Sequence, residues 1–193
     1  MQDYQWKQVA IPFWKKVQER AAHFDVKIAI KMHPHNVVYN PATLERLVTE
    51  INATHVGAEL DPSHPFRQGI EPIEAVDHLG PLVYNAAAKD TRINAAARIN
   101  GVLDDRFGGV LPTDPGAIGL GGHNTLSTWP KNASWDFVAV GRGHDVDWWR
   151  GFLQALARVD PEMAVNIEHE DAELDQLGGL GFAAATLSEA AGR

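Results

Sequence analysis

Four short apolar runs in this sequence alternate with segments of helical periodicity, and this alternation constrains the fold more than any other feature. The apolar runs cover residues 26–33, 55–61, 81–88 and 163–167. The helical segments cover residues 9–24, 42–51, 72–78, 146–159 and 180–191. Strands that alternate with helices predict a parallel sheet with helical crossovers, and therefore an α/β fold.

The rest of the sequence gives no sign of a second domain. The chain has 193 residues, which is enough for one sizeable core, so we predict a single domain over residues 1–193. Residues 98–133 are rich in glycine and proline and predict a long loop. Residues 134–143 predict a short extended segment.

A polar cluster follows each of the four predicted strands. The clusters comprise Lys31, His33 and His35; Asp61, Ser63 and His64; Lys89 and Asp90; and Glu168, Glu170 and Asp171. The carboxyl ends of parallel strands lie at one rim of a sheet, where α/β proteins place their active sites. Carboxylates and histidines that converge there are the ligand types of a divalent metal. The sequence therefore predicts a shared site at this rim.

Each cluster taken singly also has a purely structural explanation. A histidine after a strand is often only a hydrogen-bonding loop residue, and residues 61–63 have the composition of a turn. The acidic residues 168–171 would also suit a helix N-terminus, where the helix dipole favours negative charge. Four polar strand ends in series favour a site over four unrelated structural features.

Composition excludes several other classes of protein. The net charge of −8 and the scattered lysines and arginines argue against a nucleic-acid partner. The sequence has no cysteine, so disulfides and thiolate chemistry are excluded. It shows neither a signal core nor an apolar run long enough to cross a membrane, and we predict a cytoplasmic protein. No phosphate-binding glycine fingerprint is present, since G-R-G-H at 141–144 lacks the required spacing.

Several ordered motifs resemble those of the sugar phosphate isomerase/epimerase family, which belongs to the xylose-isomerase-like TIM barrel superfamily. The motifs are D-P-S-H at 61–64 with Q-G-I-E-P at 68–72, A-K-D-T at 88–91, V-G-R-G at 140–143 with Trp148, and I-E-H-E-D at 167–171 with G-G-L at 178–180. The resemblance implies a partial (β/α)₈ TIM barrel that contains strands five to eight and lacks the first four βα units. Because a half barrel has two open sheet edges, we expect a fragment of a longer protein or a homodimer that completes the sheet.

The resemblance also implies a divalent metal, Mn²⁺ or Mg²⁺, with Asp61 and Glu168 as its ligands. Two other ligand positions depart from the family pattern, because Lys31 stands where a glutamate is expected and Ala87 stands where a histidine is expected. A protonated lysine offers no lone pair, and alanine offers no ligand atom, so these departures predict weak metal binding. Lys31 is instead expected to pair with Asp61 or Glu168 and to replace the charge of the metal.

The implied chemistry is proton transfer next to the carbonyl group of a small-molecule sugar. Glu168 is the best candidate for the catalytic carboxylate, Asp61 is the second, and His64 matches a histidine of the family that contacts substrate. We further expect His33, His64, Lys89 and Trp148 to bind the substrate. One alternative is a carbohydrate-binding or partner protein with reduced catalysis, which Lys31 and Ala87 favour. A DNA-cutting relative of the fold is disfavoured by the acidic charge.

Overall fold

The computed structural model describes residues 2–103, 108–109, 127–128 and 132–193. The chain divides into two compact units, of which the first comprises Met1–Thr91 and Phe137–Arg193 and the second comprises Arg92–Asp136. Most of the long loop predicted over residues 98–133 lies outside the described residues. No helix within the described residues has both the length and the apolar character that a membrane crossing requires.

Helices and strands alternate along the chain. The helices are α1 (Gln2–Tyr4), a π-helical segment (Gln5–Ala10), α2 (Ile11–His23), α3 (Pro41–Ile51), α4 (Ser63–Phe66), α5 (Pro72–Leu79), a 3₁₀ turn (Gly80–Leu82), α6 (Ala97–Asn100), α7 (Val146–Val159) and α8 (Gln176–Ala190). The strands are β1 (Ile28–Lys31), β2 (Val56–Leu60), β3 (Val83–Ala88), β4 (Asp90–Ile93), β5 (Gly108–Gly109), β6 (Ser127–Thr128), β7 (Trp135–Val138) and β8 (Val165–Ile167).

The main sheet has four strands in the order β1-β2-β3-β8. All three pairings are parallel, with Lys31 beside Glu59 and Ala88 beside Ile167 in the register. Helices α3, α5 and α7 lie in the crossovers between successive strands of the sheet. The α/β fold with a parallel sheet is therefore confirmed. In the described part of the chain the sheet is open rather than closed into a barrel, with β1 and β8 at its edges.

The two faces of the sheet have opposite chemical character, because successive side chains of a strand point to opposite sides. On β2, Val56, Ala58 and Leu60 are fully buried in the hydrophobic core, which also contains the apolar residues of α3, α5 and α7. Glu59 lies between these core positions and is only half-buried. The face that carries Glu59 is thus available for polar groups at the carboxyl ends of the strands.

Local sequence signals explain where most helices begin. The Asn40 side chain accepts from the Thr43 backbone N–H in a capping box, and Pro41 opens α3. The Asp145 side chain caps α7 by accepting from the Trp148 backbone N–H, and both helices end where the periodicity predicts. Helix α8 begins four residues before the predicted position 180, because Asp175 caps it and the helix runs through Gly178 and Gly179. The short elements α4 and β4 were not predicted.

In the second unit, hydrogen bonds join described residues near its two chain boundaries. The Asn94 side-chain amide donates to the Ala133 carbonyl at 3.0 Å and to Asp136 Oδ2 at 2.7 Å. Arg92 Nη2 lies 3.3 Å from the same Asp136 oxygen. These contacts bring the two ends of the unit together.

Candidate functional site

Three carboxylates surround the Lys31 ammonium group at the end of β1. Lys31 Nζ lies 2.5 Å from Glu168 Oε1, 3.2 Å from Glu59 Oε1 and 3.3 Å from Asp61 Oδ2. The two β2 residues share a sheet face because they are two positions apart, and Glu168 immediately follows β8. The strand ends therefore converge as the sequence predicted, and the pairing of Lys31 with Asp61 and Glu168 is confirmed.

The surrounding carboxylates keep Lys31 protonated. Burial alone would lower the pKa of Lys31, but the hydrogen bond to Glu168 and the negative charges of Asp61 and Glu59 outweigh burial and raise that pKa. An ammonium group in this position donates hydrogen bonds only. The centre of the cluster is therefore a fixed positive charge at any physiological pH.

Asp61 is buried and has two oxygens in different situations. Oδ1 accepts hydrogen bonds from the Ser63 backbone N–H at 3.0 Å and from the Ser63 hydroxyl at 2.6 Å. Oδ2 is buried without a hydrogen bond of good geometry, although Lys31 Nζ is 3.3 Å away. Burial raises the pKa of Asp61, while the Ser63 hydrogen bonds and the nearby lysines oppose the rise. Asp61 thus presents one unsatisfied oxygen to the site.

His64 contacts the same oxygen of Asp61 from the first turn of α4. Its Nε2 atom lies 3.4 Å from Asp61 Oδ2, and its Nδ1 atom lies 3.2 Å from Arg67 Nη2. Since a guanidinium can only donate, Nδ1 accepts, and the single proton of the neutral ring is on Nε2. Burial, with the charges of neighbouring cationic groups, lowers the pKa of His64 to about 2, so the ring is neutral at physiological pH.

Glu168 is flanked by a second lysine. Lys89 Nζ lies 3.7 Å from Glu168 Oε2 and 2.6 Å from Glu170 Oε1, and it sits 4.1 Å above the Phe137 ring centre. Burial would raise the pKa of Glu168, but the hydrogen bond and charge of Lys31, together with Lys89, lower it overall. Glu168 is therefore ionised at neutral pH and held between two ammonium groups.

A third group of side chains lies at the rim beside this cluster. The His33 ring centre is 4.2 Å from that of His64, and His33 Nδ1 donates to the Pro34 carbonyl at 2.6 Å. Burial lowers the pKa of His33, and the charges of Arg67 and Lys89 lower it further. Two histidines with lowered pKa, His33 and His64, therefore lie beside the carboxylates together with the guanidinium of Arg67.

Asp90, at the start of β4, is a buried carboxylate whose two oxygens both have hydrogen-bond partners. Its Oδ2 atom accepts from the backbone N–H groups of Gly141, Gly143 and His144 at 3.1, 3.0 and 2.9 Å. Its Oδ1 atom lies 2.7 Å from His144 Nδ1 and accepts from the Thr91 N–H at 2.8 Å. A Cβ on Gly143 would lie 2.5 Å from Asp90 Oδ1, which explains the glycine. The G-R-G-H loop thus binds an internal carboxylate.

Two other residues that the sequence placed near the site make contacts of a different kind. The Trp148 ring centre lies 4.8 Å from that of Phe66 and 5.1 Å from that of His144, in an aromatic cluster. Asp171 is buried and accepts from the Ala139 N–H at 2.9 Å and from Arg142. The fold brings together five of the predicted site residues, namely His33, Asp61, His64, Lys89 and Glu168.

Sequence reasoning missed Glu59 and Arg67. Glu59 lies inside a strand that reads as apolar, but it precedes Asp61 by two positions and so shares its side of the sheet. That spacing is the signal that could have identified it. Arg67 follows α4, which was not predicted, and its one-turn spacing from His64 becomes meaningful only with that helix.

The residues present do not fit a divalent metal ion. The three carboxylate oxygens that would serve as ligands already surround Lys31 Nζ, and Ala87 is fully buried and offers no donor. Among the described residues, no group of three or more histidine, aspartate and glutamate side chains has a metal-binding arrangement. A cation at 2.0–2.6 Å from these oxygens, the range of oxygen-ligated Mg²⁺ and Ca²⁺, would collide with the ammonium group.

The protein is an α/β protein with a charged site at the carboxyl ends of its parallel strands. In (β/α) barrels, active sites lie at the same end of the sheet. The chain belongs to the Xylose isomerase-like TIM barrel family, which it matches over residues 2–189. It is 35% identical over 180 residues to the uncharacterized protein YfiH of Bacillus subtilis (strain 168), covering 92% of this chain and 51% of that protein.

Solved structures of low sequence identity share the fold. The structure of the IOLI protein with a binding zinc atom has a TM-score of 0.57 and 19% identity, covering 95% of this chain and 55% of that one. The structure of L-ribulose 3-epimerase has a TM-score of 0.53 and 14% identity, covering 97% and 55%. The chain thus spans about half the length of the relatives it matches.

Proposed function

We propose that this chain carries the catalytic rim of a sugar or sugar-phosphate isomerase or epimerase that moves a proton next to a carbonyl group. The observation that carries the proposal is the contact of Glu168 with two ammonium groups, at 2.5 Å from Lys31 and 3.7 Å from Lys89. A carboxylate beside fixed cations is the pairing that removes a proton from carbon and stabilises the oxyanion formed. The family and the epimerase of shared fold support this class of reaction.

Glu168 is the proposed base. It is ionised at neutral pH and takes the proton from the carbon beside the substrate carbonyl. The electron pair of that C–H bond forms the C=C bond of an enediolate, whose oxygen carries the negative charge. Protonation of the same carbon from the opposite face by a second acid gives an epimer, while Glu168 keeps the abstracted proton. Return of that proton from Glu168 to the former carbonyl carbon, with transfer of the neighbouring hydroxyl proton to the enediolate oxygen, gives the isomer.

Lys31 and Lys89 are the proposed electrophiles. Each ammonium group donates hydrogen bonds and stabilises the oxyanion without a change in its own protonation. When Lys31 turns from Glu168 towards a substrate oxygen, the carboxylate loses its closest positive charge. Its basicity then rises at the moment when it receives the proton.

Asp61, His64 and His33 are proposed to complete the site. Asp61 has an unsatisfied buried oxygen and a raised pKa, which suit it to supply a proton on the second face of the sugar. Neutral His33 already donates its Nδ1 proton to Pro34, so its Nε2 atom can accept a hydrogen bond from a sugar hydroxyl. Neutral His64 carries its proton on Nε2 and can donate it to a sugar oxygen in place of Asp61. Trp148 remains a proposed apolar wall, and the homodimer remains a prediction.

A carbohydrate-binding protein with reduced catalysis is the second candidate. The tight pairing of Lys31 with Glu168 favours it, since an ion pair at 2.5 Å restrains both the base and the electrophile. Such a protein would bind a sugar at the same rim and would not exchange its protons.

Deuterium exchange separates the two candidates. We would incubate the chain in D₂O with a panel of ketoses, aldoses and their phosphates and follow the C–H signals next to each carbonyl by NMR. An enzyme exchanges these protons even when the net reaction is at equilibrium. We expect exchange with at least one sugar and its loss by about 100-fold in Glu168→Gln, since general-base catalysis contributes 10²–10⁴-fold.

The control is Glu162→Gln, at an exposed position outside the cluster, which should retain full exchange. Exchange that persists in Glu168→Gln would remove Glu168 from the mechanism. A sugar that binds, as seen by ligand-observed NMR, without any exchange would replace the enzyme with the binding protein.

A further inference from the structure

The carboxylates around Lys31 form an anionic cage that already holds a cation. Their oxygens come from two strand ends, with Glu59 and Asp61 from β2 and Glu168 from β8. The ammonium group lies within 3.3 Å of all three. Asp61 contributes Oδ2, which is buried and lies 3.3 Å from Lys31 Nζ and 3.4 Å from His64 Nε2 without a hydrogen bond of good geometry.

The three carboxylates form the kind of site that binds hard cations, and the ammonium group of Lys31 occupies it. Carboxylate oxygens are the preferred ligands of Mg²⁺ and Mn²⁺. Lys31 reaches the cage from the neighbouring strand β1, where it lies beside Glu59 in the register. A divalent ion among the same oxygens would have to displace the ammonium group or lie against it, and the two positive charges repel strongly at such distances.

We propose that Lys31 is the resident cation of this site and that this single side chain excludes a divalent metal from the carboxylate cage. The structure of the IOLI protein has a zinc atom bound, so a protein of this fold can hold a metal. Here the positive charge is supplied by the chain itself. Replacement of Lys31 by a carboxylate therefore creates a metal site rather than merely removing a salt bridge.

Manganese binding tests the inference without any sugar or turnover, so its outcome is independent of the proposed function. Purified chain, freed of metals with EDTA and desalted, is titrated with MnCl₂, and free Mn²⁺ is followed by electron paramagnetic resonance. The wild-type chain should leave the free Mn²⁺ signal unchanged. Lys31→Glu should bind one Mn²⁺ per chain with an affinity about 100-fold or more above that of the wild type. The reason is that the substitution removes a repelling ammonium group and adds a carboxylate that can bind the ion.

Lys16→Glu is the matched control, because it makes the same charge change at an exposed position on α2. It should behave as the wild type does. A thermal melt gives a second readout: Mn²⁺ should raise the melting temperature of Lys31→Glu and leave that of Lys16→Glu unchanged, since a ligand stabilises the state that binds it.

Two results would overturn the inference. One is stoichiometric Mn²⁺ binding by the wild-type chain with the affinity of the Lys31→Glu variant. The other is a folded Lys31→Glu chain that binds Mn²⁺ no better than Lys16→Glu. If Lys31→Glu does not fold, Lys31→Met decides the question, because it frees the three carboxylates without adding charge. That variant must then bind Mn²⁺ more tightly than the wild type.

Discussion

Asp61 and Asp90 are both buried carboxylates that follow strands of the main sheet, yet their surroundings differ in one respect. Both oxygens of Asp90 accept well-formed hydrogen bonds from a glycine loop, Thr91 and His144. Only one oxygen of Asp61 is satisfied, by Ser63, and the other faces Lys31 without a good hydrogen bond.

The difference separates a structural carboxylate from a functional one. A buried polar group that is completely satisfied rigidifies the structure, and a partly satisfied one stores energy that a ligand can release. Asp90 therefore fastens the 141–144 loop to the sheet, and we infer that Asp61 keeps an oxygen for chemistry. Four substitutions and one change of pH test this contrast.

The largest effect is expected for Asp90→Asn. The amide removes the charge and places a donor against backbone N–H groups, so several buried hydrogen bonds are lost together. We expect a loss of about 3 to 4 kcal/mol in the free energy of unfolding, measured by urea denaturation. A loss below about 1 kcal/mol would show that the loop does not depend on this carboxylate.

Gly143→Ala should be the next most damaging. Its new Cβ would lie 2.5 Å from both Asp90 Oδ1 and the Thr91 carbonyl oxygen, which belongs to the backbone and cannot move aside easily. We expect a loss of about 2 to 3 kcal/mol in unfolding free energy.

Gly181→Ala is the control for Gly143→Ala. The added Cβ meets no atom within 4 Å, and the position lies inside helix α8. The substitution should stabilise the chain by up to about 1 kcal/mol through helix propensity. Equal destabilisation by both alanines would point to a general sensitivity to substitution instead of the Asp90 contact.

Asp61→Asn should cost little stability and much activity. Ser63 can still bond to the amide oxygen, and the burial of a charge is relieved, so we expect at most about 1 kcal/mol of lost stability. Formation of the epimer, followed by NMR, should fall by about 100-fold if Asp61 supplies the proton on the second face. A variant that unfolds as readily as Asp90→Asn would make Asp61 a structural residue as well.

The smallest expected effect is the difference in the pH dependence of stability between the wild type and Asp61→Asn. Because the folded-state pKa of Asp61 is raised, the wild type loses stability as pH rises through that pKa, and Asp61→Asn lacks this loss. The unfolding free energy of Asp61→Asn relative to wild type should therefore be higher at about pH 7 than at about pH 4. The opposite trend would indicate a lowered pKa for Asp61.

The elements of the main sheet and the convergence of its polar ends follow from local patterns in the sequence. Strand runs, helical periodicity, the proline that opens α3 and the cap at Asp145 are all short-range signals. The role of Asp90 does not follow from a short-range signal, because the backbone N–H groups that it binds lie more than fifty residues away in the chain. The cage around Lys31 is intermediate: the pairing was predicted, while Glu59 was hidden in an apolar strand.

One measurement tests the central claim, that the site works with a lysine in place of a metal. It is the rate of deuterium exchange into a turned-over sugar by the wild-type chain, with EDTA present and then with added Mn²⁺. We expect exchange in EDTA at an undiminished rate and no acceleration by Mn²⁺. Exchange that disappears in EDTA and returns with Mn²⁺ would contradict the claim.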